Sequence, residues 1–385
     1  MNENVNPVDL TPLNENPDST AVLGPLPRPA IDPWRVRNAG RTTKVVLASV
    51  VPGLLAIALT LLFSIDPAVG MILVFLPLQI IASVWAGRNI YGKKGQADAL
   101  LVIFTIFFST FVGVLLVSVI WSVVVQGLKA MSWQFVSQNN IYITPTTSLE
   151  YGGVGHAILG TLMIVGLSTL VTVPLGILVA VYLTETREKP RGAVRTLVQA
   201  MSGLPSVVAG LFVYSALIVG LGLNYGGWLG SLALIPLMLP TVARVAEESL
   251  RLVPQDLRNG ALALGAPAYR AFLQVTLPAA KSGLITAMIL GVARVIGETA
   301  PLILTVNNTN GTNLDISQPM AALPTYIFQF IANTYDTSVQ RAWGAALMVL
   351  ILVAVLFTLA RVVSGTRTTA KKTSKKTPKP AKNGI

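Results

Sequence analysis

AILGTLMIVGLSTLVTVPLGILVAVYL, residues 157–183, runs for 27 positions without a charged side chain. A helix crosses roughly 30 Å of hydrocarbon in about 17 to 25 residues, so this stretch reads as a membrane span. The fold then depends on how many others accompany it. Working outward, seven further runs meet the same length: 45–65, 69–87, 99–125, 197–221, 228–246, 284–305 and 342–360. The composition agrees, with 53% hydrophobic and 11% charged residues, where soluble proteins average about 25% charged. The expected fold is all-α, a polytopic membrane helix bundle of about eight transmembrane helices. Run 69–87 carries Pro77 and Gln79 and follows the first across Asp66-Pro67. A re-entrant hairpin therefore stays open beside a true pair of spans.

A net charge of +12 suggests nucleic acid until the positions are read. Twenty-five of the 28 Lys and Arg residues fall before residue 45, at 88–94, at 187–195, at 244–281, and from 361 onward. If eight spans alternate, all of these share one side, and the segments opposite hold only Lys129. Positive residues mark the cytoplasmic side, so both termini are expected there, in a multi-pass cytoplasmic (inner) membrane protein. No cleavable signal peptide is evident: 44 mostly polar residues precede the first span. With no cysteine there is neither disulfide nor thiolate metal site. His156 is the single histidine and reads as a solvated loop residue, since a histidine-based metal site needs partners.

Four regions follow: a disordered cytoplasmic tail over 1–44, an N-terminal transmembrane pair over 45–98, a permease-sized core over 99–363, and a Lys-rich disordered tail over 364–385. The last, with KKTSKKTPKP, solubilises and can also touch anionic membrane lipid at about 1 kcal/mol per cation. In the segment 126–156, expected outside, Trp133, Phe135, Tyr142 and Tyr151 suit a membrane interface. YIFQFI, 326–331, is too short to span and reads as an interfacial or re-entrant helix.

The cytoplasmic loop 247–282 reads EESLRLVPQDLRNGALALGAPAYRAFLQVTLPAAKS. Pro254 suits a first helical position, Leu257, Ala261 and Leu264 form an apolar stripe, Gly265 offers a C-terminal cap, and Pro267 opens a second short helix. Two short amphipathic helices on that face suggest docking to a soluble partner.

This loop resembles that of the membrane subunits of binding-protein-dependent ABC importers, which has the form Glu-Ala-Ala, three residues, Gly, nine residues, Ile-x-Leu-Pro. Here the frame is Asn259-Gly260-Ala261, then Gly265, then Val275-Thr276-Leu277-Pro278, with every spacing kept. RVIGETAPLILT from Arg294, GLPSVVAGLF from Gly203 and the later QPMAALPTYIFQF are similar to the phosphate permease subunits of PstA type. The likeness covers roughly residues 99–363.

It implies that the loop seats in a cleft of an ATPase subunit, through Arg258, Asn259, Gly260, Ala261, Gly265, Leu277 and Pro278. It also implies four partners: a homologous second permease subunit (PstC type), two ATPase subunits (PstB type), an extracytoplasmic phosphate-binding protein (PstS type), and inorganic phosphate. Asn259 departs from the family's usual Glu, which removes a charged contact with the ATPase; Arg258 is a candidate replacement. No Gly-x-x-x-x-Gly-Lys-Ser/Thr motif occurs, so ATP and Mg are expected in the partner, and this chain is expected to bind no cofactor or metal and to catalyse no reaction.

GVARVIGETAP, 291–301, sets two charges inside a span, where each costs roughly 2.5 to 3.5 kcal/mol at the helix centre. Arg294 and Glu298 lie one turn apart on one helix face. Arg294 is 12 residues from Ser282, about 18 Å along the axis and near mid-membrane. Pro301 cannot donate to the carbonyl of Gly297, so a kink there leaves a free acceptor beside the charges. Two readings stay open: an Arg–Glu pair locking helices together, or a cation meeting an oxyanion in transit, with Thr299 alongside.

Ser206, after Pro205, offers a second candidate, where a helix start can face an anion; a simple proline kink competes, as it does at Pro236 and Pro240. The expected function is ATP-driven import of inorganic phosphate. Permeation of sulfate or molybdate, a polytopic membrane enzyme and a proton-coupled transporter are the alternatives.

Overall fold

The computed structural model describes residues 39–64, 67–186 and 190–363, and every regular element among them is helical. Both tails fall largely outside these residues, so their expected disorder is not addressed. The chain divides into two units, Met1–Leu115 and Leu116–Ile385.

The first unit holds α1 (Ala39–Leu62), α2 (Pro67–Gly70), a π-helical turn (Met71–Phe75) and most of α3 (Leu76–Leu128), whose last residues from Leu116 belong to the second unit. Pro52 lies inside α1 and has no N–H for the carbonyl of Ala48. Gln79 supplies the missing donor, its Nε2 standing 3.2 Å from that oxygen. The polar residue that made the second run ambiguous thus repairs a proline defect in the first. α3 is interrupted at Gly92, whose φ of +70° suits a residue without Cβ.

The second unit continues with α4 (Trp133–Ser137), α5 (Gly155–Glu185), α6 (Pro190–Ser202) and α7 (Ser206–Val213), which runs into a π-helical stretch (Tyr214–Val219). Then come α8 (Gly227–Arg251), α9 (Gln255–Ala263), α10 (Ala268–Ala271), a π-helical turn (Phe272–Thr276) and α11 (Leu277–Ala279). α12 (Lys281–Val295), α13 (Ala300–Thr305), α14 (Leu323–Ile331) and α15 (Asp336–Val363) complete it.

α5 and α8 form the centre. Ile164, Leu234, Leu237, Met238 and Val242 are buried between them and their neighbours. Between membrane helices small residues permit close approach and polar side chains tie backbones. Both devices appear: a Cβ on Gly176 would stand 2.7 Å from Val242, and Ser231 Oγ donates to the Ile164 carbonyl at 2.9 Å. Gly291 of α12 meets Val242 and Met238 in the same manner.

Among the described residues five helices are long and apolar enough to span: Leu73–Ile90, Leu100–Leu128, Gly155–Glu185, Gly227–Arg251 and Asp336–Leu359. Two bent pairs raise the count to seven if each is one span: Pro190–Ser202 with Ser206–Val219, at 101°, and Ala268–Ala279 with Lys281–Val295, at 66°. Val46–Leu62 is apolar but shorter. The sequence suggests about eight spans; by length and composition the described residues give five to seven, with Val46–Leu62 beside them. Run 197–221 fails as one helix because Gly203-Leu204-Pro205 breaks it, while α8 stays continuous through Pro236 and Pro240.

Around α4 two further expectations change. Phe135 is completely buried, whereas Trp133, Tyr142 and Tyr151 are exposed as interfacial aromatics should be. His156 is no solvated loop residue: it is buried at the start of α5, edge-on to the Tyr326 ring at 5.8 Å. Gly153 and Gly155 cause this, since their missing side chains let the backbone lie against Phe135 and Ser137 and draw residue 156 inward. α14 packs against α15 and α5, with Leu323, Tyr326 and Phe330 buried and Phe328 exposed.

Candidate functional site

Helix α12 stops at Val295 and α13 starts at Ala300, so the run 284–305 is broken at mid-course. The break falls one turn before Pro301, where the helix lacks a donor for Gly297. Thr299, the N-cap of α13, turns its hydroxyl to that carbonyl at 3.5 Å, the long limit of such a bond. Arg294 and Glu298 consequently do not share a helical face. Among the described residues no ion pair joins them: Arg294 is exposed, Glu298 half-buried, and Arg294 Nη1 donates to Thr241 Oγ1 of α8 at 3.3 Å. The expectation that the two lie on one helix face is corrected by the break itself.

α7 and α13 pack on one another. A Cβ on Gly210 would stand 2.5 Å from Pro301 Cα, so the contact is backbone to backbone. The stretches GLPSVVAGLF and GETAPLILT therefore meet in space. Ser206, half-buried at the start of α7, lies four residues before Gly210 and hence on the face that meets α13. A 101° bend separates α7 from α6, and Arg244 of α8 bridges to the end of α6 through Ser202 Oγ at 2.9 Å. One small region thus gathers hydroxyls and cations around two helix interruptions, an arrangement membrane proteins tolerate where irregular backbone lines a cavity or is covered by protein.

At the other feature, α9 carries no buried residue. Pro254 is its N-cap, one position before the first helical residue. Gly265 closes it at φ +83°: its N–H reaches the Leu262 carbonyl at 3.0 Å, and that of Ala266 reaches Ala261 at 3.1 Å, the paired bonds of a Schellman cap. Pro267 is the N-cap of α10, and Leu277-Pro278 opens α11. Asn259 and Gly260 are exposed and Ala261 is half-buried. Leu264 is 91% exposed and Leu257 is exposed too, so the apolar stripe is left largely uncovered by the described residues. Arg258 pairs within the chain with Glu185 at the end of α5, Nη1 to Oε1 at 2.8 Å and Nη2 to Oε2 at 2.5 Å.

A family model described as the inner membrane component of binding-protein-dependent transport systems matches residues 172–366, which include the α9–α11 loop and the broken helix. The chain belongs to this family. Among the relatives of this transport component, phosphate transport system permease protein PstA 1 of Mycobacterium tuberculosis (strain CDC 1551 / Oshkosh) is 38% identical over 67% of the chain and 86% of its own length. PstA of Mycobacterium leprae (strain TN) is 39% identical over 65% and 84%, and PstA of Yersinia pestis 34% over 70% and 90%. The protein is a multi-pass membrane subunit. As in its family, substrate-binding and ATP-hydrolysing parts lie in other subunits.

Three residues of this transport component escaped sequence reasoning. Thr241 holds Arg294 from 53 positions away and carries no signal in the sequence. Glu185 at a helix C-terminus was a readable oddity, since an anion there opposes the helix dipole. Arg341, at the edge of run 342–360, is fully buried, and its Nη2 donates to the carbonyls of Thr147, Ser148 and Tyr151 at 3.2, 2.7 and 2.8 Å.

Proposed function

We propose that this chain is the permease subunit of an ATP-driven importer of inorganic phosphate, working with a homologous second permease subunit, two ATPase subunits that use ATP and Mg, and an extracytoplasmic phosphate-binding protein. Its relatives' names support phosphate as cargo, and the run of Lys and Arg supports cytoplasmic termini. The observation that carries the chemistry is Arg294, an exposed guanidinium beside a break in a membrane helix, with one hydrogen bond to Thr241 and no carboxylate partner among the described residues.

A guanidinium fork matches phosphate oxygens in pairs, and in a site poor in water its field acts strongly. Thr299 and Ser206 add hydroxyls that can donate to the same anion. Glu298, close in sequence but unpaired, supplies a repulsion that lowers residence time, so that the anion passes rather than stays. Gly260, Ala261, Gly265, Leu277 and Pro278 shape the loop that seats in the ATPase, with Asn259 offering an amide where the family usually has a carboxylate.

Phosphate uptake into vesicles holding the reconstituted complex, normalised to assembled complex, tests the pathway. Arg294→Gln should abolish uptake while assembly stays normal, because the change removes a charge that was costly to keep in the membrane. Glu298→Gln should retain binding and slow turnover, and the double variant should stay inactive. Recovery of uptake in the double would mean that the two residues serve each other as a structural pair, and the pathway assignment would fall.

A further inference from the structure

We infer that Arg258 and Glu185 are positioning residues that join the coupling helix α9 to the long helix α5, so that displacement of α9 by the ATPase is delivered through α5 to the opposite end of the bundle. The inference rests on the reading of α9–α11 as the coupling loop, and deepens it.

Glu185 is the last residue of α5. A carboxylate there faces the negative end of the helix dipole, so the helix gains nothing from it. What it does have is Arg258, gripped through both oxygens at 2.8 and 2.5 Å. The two side chains are 23% and 34% exposed, which puts the pair out of full solvent screening. A two-pronged guanidinium–carboxylate contact fixes orientation as well as distance. α9 packs mainly on the π-helical turn Phe272–Thr276 and on α10, and this ion pair ties it to α5.

α5 can carry motion because it is a single helix of 31 residues, about 46 Å long at 1.5 Å per residue. Its far end is held. The N–H of Leu323 donates to Thr161 Oγ1 at 2.8 Å, and a Cβ on Gly160 would stand 1.9 Å from the carbonyl oxygen of Ala321. A push at Glu185 therefore arrives beneath α14 and the segment leading into it. Asn259 offers no charge to the ATPase, and the adjacent Arg258 spends its charge within the chain.

The test uses the full complex in vesicles and reads phosphate uptake per ATP hydrolysed, with ATPase co-purification as a separate readout. Arg258→Glu and Glu185→Arg should each lower uptake per ATP roughly tenfold, within the usual range for coupling between sites, while the ATPase stays bound. Their combination, which restores the pair with reversed charges, should regain most of it. Because the chain has no cysteine, Glu185→Cys with Arg258→Cys can be bridged by a reducible bis-methanethiosulfonate. Bridged complex should transport normally if α9 and α5 move together through the cycle.

Unchanged uptake per ATP in both charge reversals would overturn the link. So would a charge-swapped double that assembles but fails to recover, or transport blocked by the bridge and released by reduction. Failure of the coupling-loop reading looks different. Gly265→Leu would then leave ATPase co-purification intact, whatever the ion pair does.

Discussion

The α4 end and the α9 end of the second unit are finished to different degrees. At the α4 end Phe135, Val154, Tyr326 and even the guanidinium of Arg341 are buried, and three backbone carbonyls of the 147–151 stretch accept from its Nη2. At the α9 end nothing on α9 is buried, and Leu252, Leu257, Leu264 and Tyr269 stand exposed. One end hides a charge, the other displays leucines. Since exposed apolar clusters mark interaction surfaces, the difference teaches that the first end is held by its own contacts, whereas the second is shaped for contacts it does not itself contain.

Substitutions at the two ends should separate stability from association. Gly160→Val is expected to have the largest effect. Its side chain would collide with the Ala321 carbonyl, and backbone cannot yield as a side-chain tip can, so a loss above about 4 kcal/mol is expected. Size-exclusion of the complex in detergent should show no folded peak; a normal peak would mean that the α5 contact is not rigid.

Arg341→Met comes next. Three part-buried contacts to carbonyls lose their shared charged donor at once, which should cost about 2–3 kcal/mol, read as a lower thermal midpoint of the purified complex. A wild-type midpoint would show that the 147–151 stretch is held by something else.

Gly265→Leu should cost less in stability, about 1–2 kcal/mol for a left-handed backbone on a residue with Cβ. Its ATPase co-purification, however, should fall sharply with membrane insertion unchanged. Leu264→Ser should leave stability within about 0.5 kcal/mol, as for surface sites generally, and weaken ATPase association alone. If Leu264→Ser instead lowered the thermal midpoint as far as Arg341→Met, the distinction between a closed end and an open one would collapse.

Much of this was legible along the chain. The apolar runs located α5, α8 and α15 to within a few residues, because the requirement to bury backbone polar groups in lipid acts on consecutive residues. Capping is equally local. Pro254, Gly265 and Pro267 marked the ends of α9 and the start of α10, since proline's fixed φ and glycine's freedom at positive φ do not depend on distant partners. The clustering of Lys and Arg, and the Asn259 to Pro278 frame, were likewise visible before any fold was known.

Tertiary structure decided the rest. Arg294 and Glu298 are four residues apart in sequence but parted by a helix break that Pro301 invites and that packing of α13 on α7 and α8 sustains. The partner of Arg294 lies 53 positions away, that of Arg258 73 positions away, and the carbonyls around Arg341 about 190. His156 is buried because two glycines press the chain onto Phe135 and Ser137 and α14 covers it. Periodicity and composition report what a residue's neighbours in the chain require. Which charge meets which acceptor depends on helices that approach one another only after the chain has folded, and there the short-range signal carries no information.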